Sequence, residues 1–453
     1  MRTRERDIVN DFIQRRLPLD KSATYVVALS GGPDSVALAL LMTDLGFHIH
    51  VAHCNFSLRG EESNRDEEFV RSFARSHSLP LHVAHFDTRE YARLHHLSIE
   101  TAARQLRFSW LEALLSDIGA AAILVGHHRD DNAETVLMNL VRGTGIRGLC
   151  GIRPVNGNVI RPLLCLSHRD ILSYLEQRGE RYVTDSSNLE SVATRNKFRL
   201  EIIPKLLEIN NGTVENINAA SVRLSDAFAI VDSVVGDAIK NSIRQRVNHV
   251  GLLPAVQVEA DKSAILRFPS PRYLLNELCG SYGFLPSQTD DILRAMSSSQ
   301  PGTLFRSASH CLVVDRDTIV IEPCEVAGIS MSMPEEGSYV SGNIRFRIEQ
   351  SSAVSVSSGD SMASVDADKV AFPLLLRLVG RGDRFVPLGM RGSKLLSDFL
   401  TDCRLNLLEK RRQLVVEDAW GNIVWVVGRR INDRCKITGE TRKVLLLSYE
   451  ELK

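Results

Sequence analysis

The sequence predicts an α/β fold: a parallel sheet with helices on both faces, then a partly helical middle region and a small α+β module at the C-terminus. Three observations carry this. Over residues 1–210, short runs rich in β-branched and aromatic residues alternate with longer helical patterns, as in sheets built from strand–helix–strand units. From 211 to about 335 that alternation stops, and a polar helical stretch (214–246) gives way to Pro- and Ser-punctuated segments such as 297–302. Strand-like runs return in the last hundred residues. The expected domains are therefore 1–210, 211–335 and 336–453.

In order, the strands are expected at 24–29, 47–52, 81–84 and 121–125, with helices at about 36–45, 61–78, 98–117 and 132–141. In such a sheet ligands bind outside the carboxyl ends of the strands, so the chemistry should follow each strand. Residues 351–364 are Ser-rich and read as loop or edge strand. Further on, 374–379, 413–416 and 422–427 read as strands and 398–409 as a helix.

Composition narrows the function classes. The 55 basic and 55 acidic residues cancel, so net charge gives no support for a nucleic-acid partner, although local patches can still supply one. From residue 371 onward there are 16 Lys and Arg against 10 Asp and Glu, which makes the tail basic. The eight cysteines include no Cys-x-x-Cys pair, as expected of reduced, mostly buried thiols. The charged first residues lack the apolar core of a signal peptide, and no run approaches the ~18 apolar residues of a membrane span. A cytoplasmic protein with no membrane partner is expected.

The first strand leads into Ser30-Gly31-Gly32-Pro33-Asp34-Ser35 and then an unbroken apolar helix. Two glycines let the backbone approach a ligand. A helix N-terminus offers unpaired N–H groups to phosphate. No Lys follows the glycines, so this is not the common Gly-x-x-x-x-Gly-Lys loop. It resembles the pyrophosphate loop of enzymes that split ATP into AMP and pyrophosphate. The plain alternative is a Gly-Gly turn with a capping Ser.

After the second strand comes His53-Cys54-Asn55, where His53 is either a nucleotide contact or a loop residue and Cys54 reads as a small buried hydrophobe. Arg104 and Arg107 share a helix face; such arginines are solvated, acid-paired or phosphate-binding. After the fourth strand, Gly126-His127-His128-Arg129-Asp130-Asp131-Asn132-Ala133-Glu134 brings Asp131 and Glu134 to one face of a helix N-terminus. That pair reads as a helix cap, a metal site or a pocket for a cationic amine. Gly143-Thr144-Gly145-Ile146-Arg147-Gly148 is a literal Gly-x-Gly-x-x-Gly, but it follows a helix and so is no dinucleotide fingerprint. Three further stretches follow: Arg161-Pro162-Leu163-Leu164, Asp185-Ser186-Ser187-Asn188 and Arg195-Asn196-Lys197-Phe198-Arg199. The last would contact phosphate or cap a helix ending at Ile203-Pro204.

Together these stretches resemble the tRNA(Ile)-lysidine synthetase family of pyrophosphate-loop enzymes. The likeness covers 20–205 and 374–445, with 126–152 the most family-specific. It implies an adenine nucleotide α-hydrolase-like N-terminal domain and an ATP-dependent ligase. That enzyme adenylates the C2 oxygen of the wobble cytidine in the CAU-anticodon tRNA(Ile), and L-lysine then displaces AMP. By resemblance, Ser30, Gly31, Gly32, Pro33, Asp34, Ser35 and His53 bind ATP with Mg²⁺. Arg107 and His127 contact ATP and stabilise the reacting phosphate, while Asp131, Glu134 and Arg199 bind lysine. Arg195, Arg384, Arg391 and Lys394 bind tRNA, and the family implies a homodimer. The chain departs from the family at 404–408, where more Lys and a Pro are usual. Two rivals are a tRNA thiolase, which needs reactive or cluster-binding cysteines, and a non-catalytic tRNA-binding protein.

Overall fold

The computed structural model describes residues 3–183, 194–246, 257–298, 302–324, 328–352 and 360–452. The stretch 185–188 lies outside them, as do parts of 297–302 and 351–364. The chain forms two compact units, Met1–Val231 and Asp232–Lys453.

The first unit opens with α1 (Arg4–Arg16) and proceeds through β1 (Thr24–Ala28), α2 (Pro33–Asp44), β2 (His48–Asn55), α3 (Glu61–Ser76) and β3 (Leu81–His85). It continues through α4 (Thr88–Leu94), α5 (Ile99–Asp117), β4 (Ala122–Leu124), α6 (Arg129–Val141) and α7 (Ile146–Leu149). The strands β5 (Val155–Asn156) and β6 (Val159–Ile160) precede α8 (His168–Arg178). The sheet order is β3-β2-β1-β4-β6-β5, parallel except for the β5–β6 hairpin.

Alternation along β1 explains the layers. Tyr25, Val27 and Leu29 enter one core with α1, α2 and α8. Val26 faces the other way, onto Leu111 and Leu114 of α5. Period-2 side chains buried on both faces are what a doubly covered parallel sheet requires. The helix α2 is buried continuously from Ser35 to Met42, which accounts for its unbroken apolar sequence. The order reverses beside β1, so a crevice opens between the ends of β1 and β4.

The expected elements of this unit are present within a few residues, and α1, α4, β5, β6 and α8 add to them. One expectation fails. No helix ends at Ile203-Pro204; helix α9 (Thr194–Lys197), a π-helical turn (Phe198–Ile202) and α10 (Ile203–Ile209) run on through the proline. A proline ring clashes with the carbonyl four residues earlier, and the wider π turn relieves that clash at Leu200. The division between the units falls within α11 (Thr213–Ser242).

The second unit holds an antiparallel sheet of Ile243–Arg246, Gln257–Asp261, Thr318–Pro323, His310–Val314 and Thr303–Arg306. Its helices are Lys262–Arg267, Pro271–Gly280 and Pro286–Ser297. Two more antiparallel sheets share a core in which Phe346 and Trp425 meet at 6.0 Å between ring centres. The helix expected over 398–409 is two helices, Leu396–Asp402 and Leu407–Arg412. Arg404 takes a left-handed φ of 62° between them, and Asn406 caps the second through Leu408 and Glu409 N–H groups. Among the described residues, no helix is long and apolar enough to cross a membrane.

Candidate active site

The Ser30–Ser35 loop joins β1 to α2. Gly31 sits at φ +90°, and a Cβ there would meet Phe69 at 3.3 Å, so the position needs glycine twice over. Pro33 starts α2, where a missing N–H costs nothing. Two hydroxyls staple the turn: Ser35 Oγ accepts from Ser30 N at 3.2 Å and donates to Gly32 O at 2.9 Å, and it lies 3.1 Å from Ser30 Oγ. These bonds fix the shape of the turn. Asp34 Oδ1 is buried with no hydrogen-bond partner among the described residues. Burial raises the Asp34 pKa, with His128 pulling the other way.

The opposite wall comes from the end of β4. A Cβ on Gly126 would lie 2.9 Å from the Asp34 carbonyl oxygen; only a glycine lets these two backbones touch. His128, 2% exposed, precedes α6, and its backbone N–H donates to Asp131 Oδ2 at 3.1 Å, closing a capping box. Its ring lies 3.5–3.8 Å from Asp34, Asp130 and Asp131. Burial works against charge on that ring, but the three carboxylates outweigh it and raise its pKa. His127 behaves oppositely. Burial takes it down to about 4, with Arg161, Arg195 and Arg107 adding to the shift. Arg161 Nε donates to His127 Nδ1 at 3.2 Å, so the neutral ring carries its proton on Nε2.

Behind these lies a network of two carboxylates and two guanidinium groups. Arg195 Nε and Arg199 Nε donate to Glu134 at 2.8 and 2.6 Å. Arg199 Nη2 reaches Asp131 Oδ1 at 3.0 Å and Arg195 Nη2 reaches it at 3.4 Å. The Glu134 side chain is 1% exposed and the Asp131 side chain 11%. Burial opposes charge on Asp131, yet His128 and Arg195 hold it below the usual carboxylate range.

A cavity of about 340 Å³ gathers Ser30, Gly32, Pro33, Asp34, Ser35, Arg107, His127, Asp131 and Arg199. Arg107 Nε is buried there without a partner among the described residues. Three expected residues stand elsewhere. Gly31 shapes the loop from outside the lining. Glu134 does not line the cavity; it anchors Arg199, which does, and Arg195, which lies outside the lining. His53 is 5% exposed and donates from Nδ1 to Leu29 O at 2.9 Å, bracing the strand end and lining a neighbouring cavity with Ser30. Arg195 contacts the acid pair directly. Arg384, Arg391 and Lys394 lie in the second unit, on or beside the paired strands Arg384–Phe385 and Lys394–Leu395. Arg384 bonds to Ser393, and Lys394 pairs with Asp402.

His128 and Arg161 stand in stretches marked in the sequence, but neither has a role assigned there. The first is hidden beside His127, and the second reaches the site only because β6 lies next to β4. Among the described residues, no group of three or more His, Cys, Asp or Glu side chains can hold a metal ion. The Asp34 carboxylate, whose buried Oδ1 has no hydrogen-bond partner among the described residues, fits Mg²⁺ bound mainly through substrate phosphates. Cys54 lines the cavity, but burial raises its pKa to about 12, which keeps it from acting as a thiolate nucleophile.

Comparison with known proteins finds relatives along nearly the whole chain. Residues 3–206 match the family model of the PP-loop domain, and 256–324 match the TilS substrate binding domain. A tRNA(Ile)-lysidine synthase of Parabacteroides distasonis is 42% identical, with 97% of this chain and 98% of that one aligned. The enzyme of the same name from Bacteroides thetaiotaomicron is 38% identical over 95% of each chain. That of Porphyromonas gingivalis is 34% identical over 96% of this chain and 97% of its own.

Proposed function

Because this chain belongs to the tRNA(Ile)-lysidine synthase family, an ATP-using family of tRNA-modifying enzymes, we propose that it joins lysine to C2 of the wobble cytidine in the CAU-anticodon tRNA(Ile). ATP leaves as AMP and pyrophosphate, and the lysidine formed switches decoding from AUG to AUA. The observation that carries the reading is that the Ser30–Ser35 loop and Asp131 face one cavity. A phosphate-holding turn and a carboxylate for a cationic amine thus meet around a single reacting centre.

In the first step the cytidine O2 attacks the α-phosphorus of ATP, and the bond to pyrophosphate breaks. The loop N–H groups and hydroxyls hold the departing pyrophosphate. Arg107 and the Nε2–H of His127 stabilise charge on the α-phosphate oxygens. Asp34 would hold Mg²⁺, which offsets phosphate charge when bound.

In the second step the lysine ε-nitrogen attacks C2, the C2–O bond breaks and AMP departs. A free ε-amine has a pKa of ~10.4 and is protonated at neutral pH. Asp131 attracts the cation and accepts its proton. Arg195 and Arg199 press the other way, because like charges nearby favour the neutral amine. Glu134 acts through those two arginines as a positioning residue.

The regions 211–335 and 336–453 are read as tRNA-contacting, with Arg384, Arg391 and Lys394 on phosphates. A homodimer follows from the family and is checked by light scattering of the full chain. The reaction is tested with tRNA carrying ¹⁸O at C2 of the wobble cytidine. The label should appear in AMP; label retained in the RNA would overturn the adenylated intermediate.

A further inference from the structure

A second cavity, of about 430 Å³, shares His127 with the first. Its lining brings together Arg104, Arg147, Arg153, Arg161 and Arg195 and includes no Asp or Glu. Arg195 is already paired with Glu134 and Asp131, so the local excess of positive charge rests with Arg104, Arg153 and Arg161. The five arginines come from five separate segments: α5, α7, the α7–β5 connection, the end of β6, and α9.

Aromatic rings hold several of them. Arg147 and Arg153 both lie over Phe228, at 5.3 and 5.8 Å, and Arg104 lies over Phe108 at 5.2 Å. Arg161, 8% exposed, donates to the Arg153 carbonyl and to His127. Among the described residues, none of Arg104, Arg153 and Arg161 has a carboxylate within ion-pair distance. The stacked guanidinium groups of Arg104 and Arg153 keep their edges open for bidentate contact with phosphate. Like charges gathered this closely repel unless an anion joins them. Burial and neighbouring Arg104 lower the Arg161 pKa, which fits a cation that lacks its counter-ion.

We propose that this cavity grips the RNA phosphates flanking the target cytidine, with its arginines holding the backbone while the base passes His127 into the ATP cavity. The proposal rests on the lysidine reading, since it needs a base delivered from single-stranded RNA. It goes further by naming where the backbone is held. Several guanidinium groups on different segments suit a run of phosphodiesters better than one free phosphate.

The test measures binding of a CAU anticodon stem-loop RNA to the full chain. A second RNA carries uncharged methylphosphonates on both sides of the target cytidine. Wild type should bind the uncharged RNA about tenfold more weakly. Arg153→Gln and, separately, Arg104→Gln should each weaken binding of the natural RNA about tenfold. Each variant should also reduce the salt dependence by ~0.7 in log–log slope, the value of one single-strand phosphate contact. In either variant the methylphosphonate penalty should shrink to about a third, since one of the two neutralised phosphates has then lost its partner, as coupling requires. Affinities for ATP and pyrophosphate should change less than twofold. A full methylphosphonate penalty in both variants would place the phosphates elsewhere. A loss confined to ATP or pyrophosphate would make the cavity part of the nucleotide site. Both results overturn the proposal. These binding arms need no turnover, so they are read separately from whether wild type forms lysidine, on which the functional reading stands.

Discussion

At the scale of single residues, the site sets two adjacent histidines to opposite tasks. His128 sits among three carboxylates and favours its proton, whereas burial takes His127 down to about 4. Between pH 4 and 6.5 the unfolded chain binds a proton on His127 that the folded chain refuses. Stability from this residue is therefore complete above pH 6.5 and declines as pH falls toward 4. Replacing His127 with Gln should shrink the stability difference between pH 7 and pH 5 by up to about 2 kcal/mol, read by urea unfolding. An unchanged difference would mean that the ring titrates normally. The acid pair divides in a similar way. Asp131→Asn should raise the lysine KM at least tenfold with the ATP KM within threefold. Glu134→Gln should lower kcat and also loosen Arg195 and Arg199. Equal losses for ATP and lysine in Asp131→Asn would favour a metal-binding role instead. The sequence made Asp131 and Glu134 legible as a pair because three-residue spacing on a helix is local. It could not show that Glu134 faces inward, because the arginines that cover it arrive from more than sixty residues away.

At the scale of elements, the site depends on two helix N-termini held against each other. Gly126 permits that contact, so Gly126→Ala must push the Asp34 peptide aside. The expected result is an ATP Kd raised at least tenfold and a stability loss of about 1–3 kcal/mol, as for other overpacked positions. Unchanged ATP affinity would show that the two loops move independently. The strands and long helices of the first unit were legible because each buries a regular face. The loop β1–α2 was legible because its residue types are dictated by backbone geometry. What escaped was set by distant partners. Pro204 reads as a helix stop, yet the π turn at Phe198–Ile202 carries the helix through it and leaves Arg199 beside Asp131. The break at Cys403–Asn406 likewise follows from Arg404 in the left-handed region, which periodicity does not reveal.

At the scale of the whole molecule, neutral net charge conceals an uneven distribution. Positive charge gathers in a cavity of the first unit and along the C-terminal tail. Within the second unit, Arg412 and Glu322 form a 3.2 Å ion pair, each 2% exposed, and Gln257 donates to the same carboxylate at 2.7 Å. Leu408 packs nearby against Cys311, Val313 and Val320. Removing one partner strands a buried charge, so Glu322→Ala should destabilise this unit by about 3–5 kcal/mol. ATP binding should be preserved, because the cavity is built entirely from residues before 200. Loss of ATP affinity would mean that the first unit requires an intact second one. The most direct measurement concerns the reaction itself. Pyrophosphate release is followed with ATP and the CAU tRNA(Ile), with and without free lysine, and the wobble nucleoside is then weighed by mass spectrometry. The account predicts lysine-dependent conversion of that cytidine to lysidine, with one pyrophosphate released per lysine incorporated. Pyrophosphate release with an unchanged wobble nucleoside, or with a different group added, would contradict it.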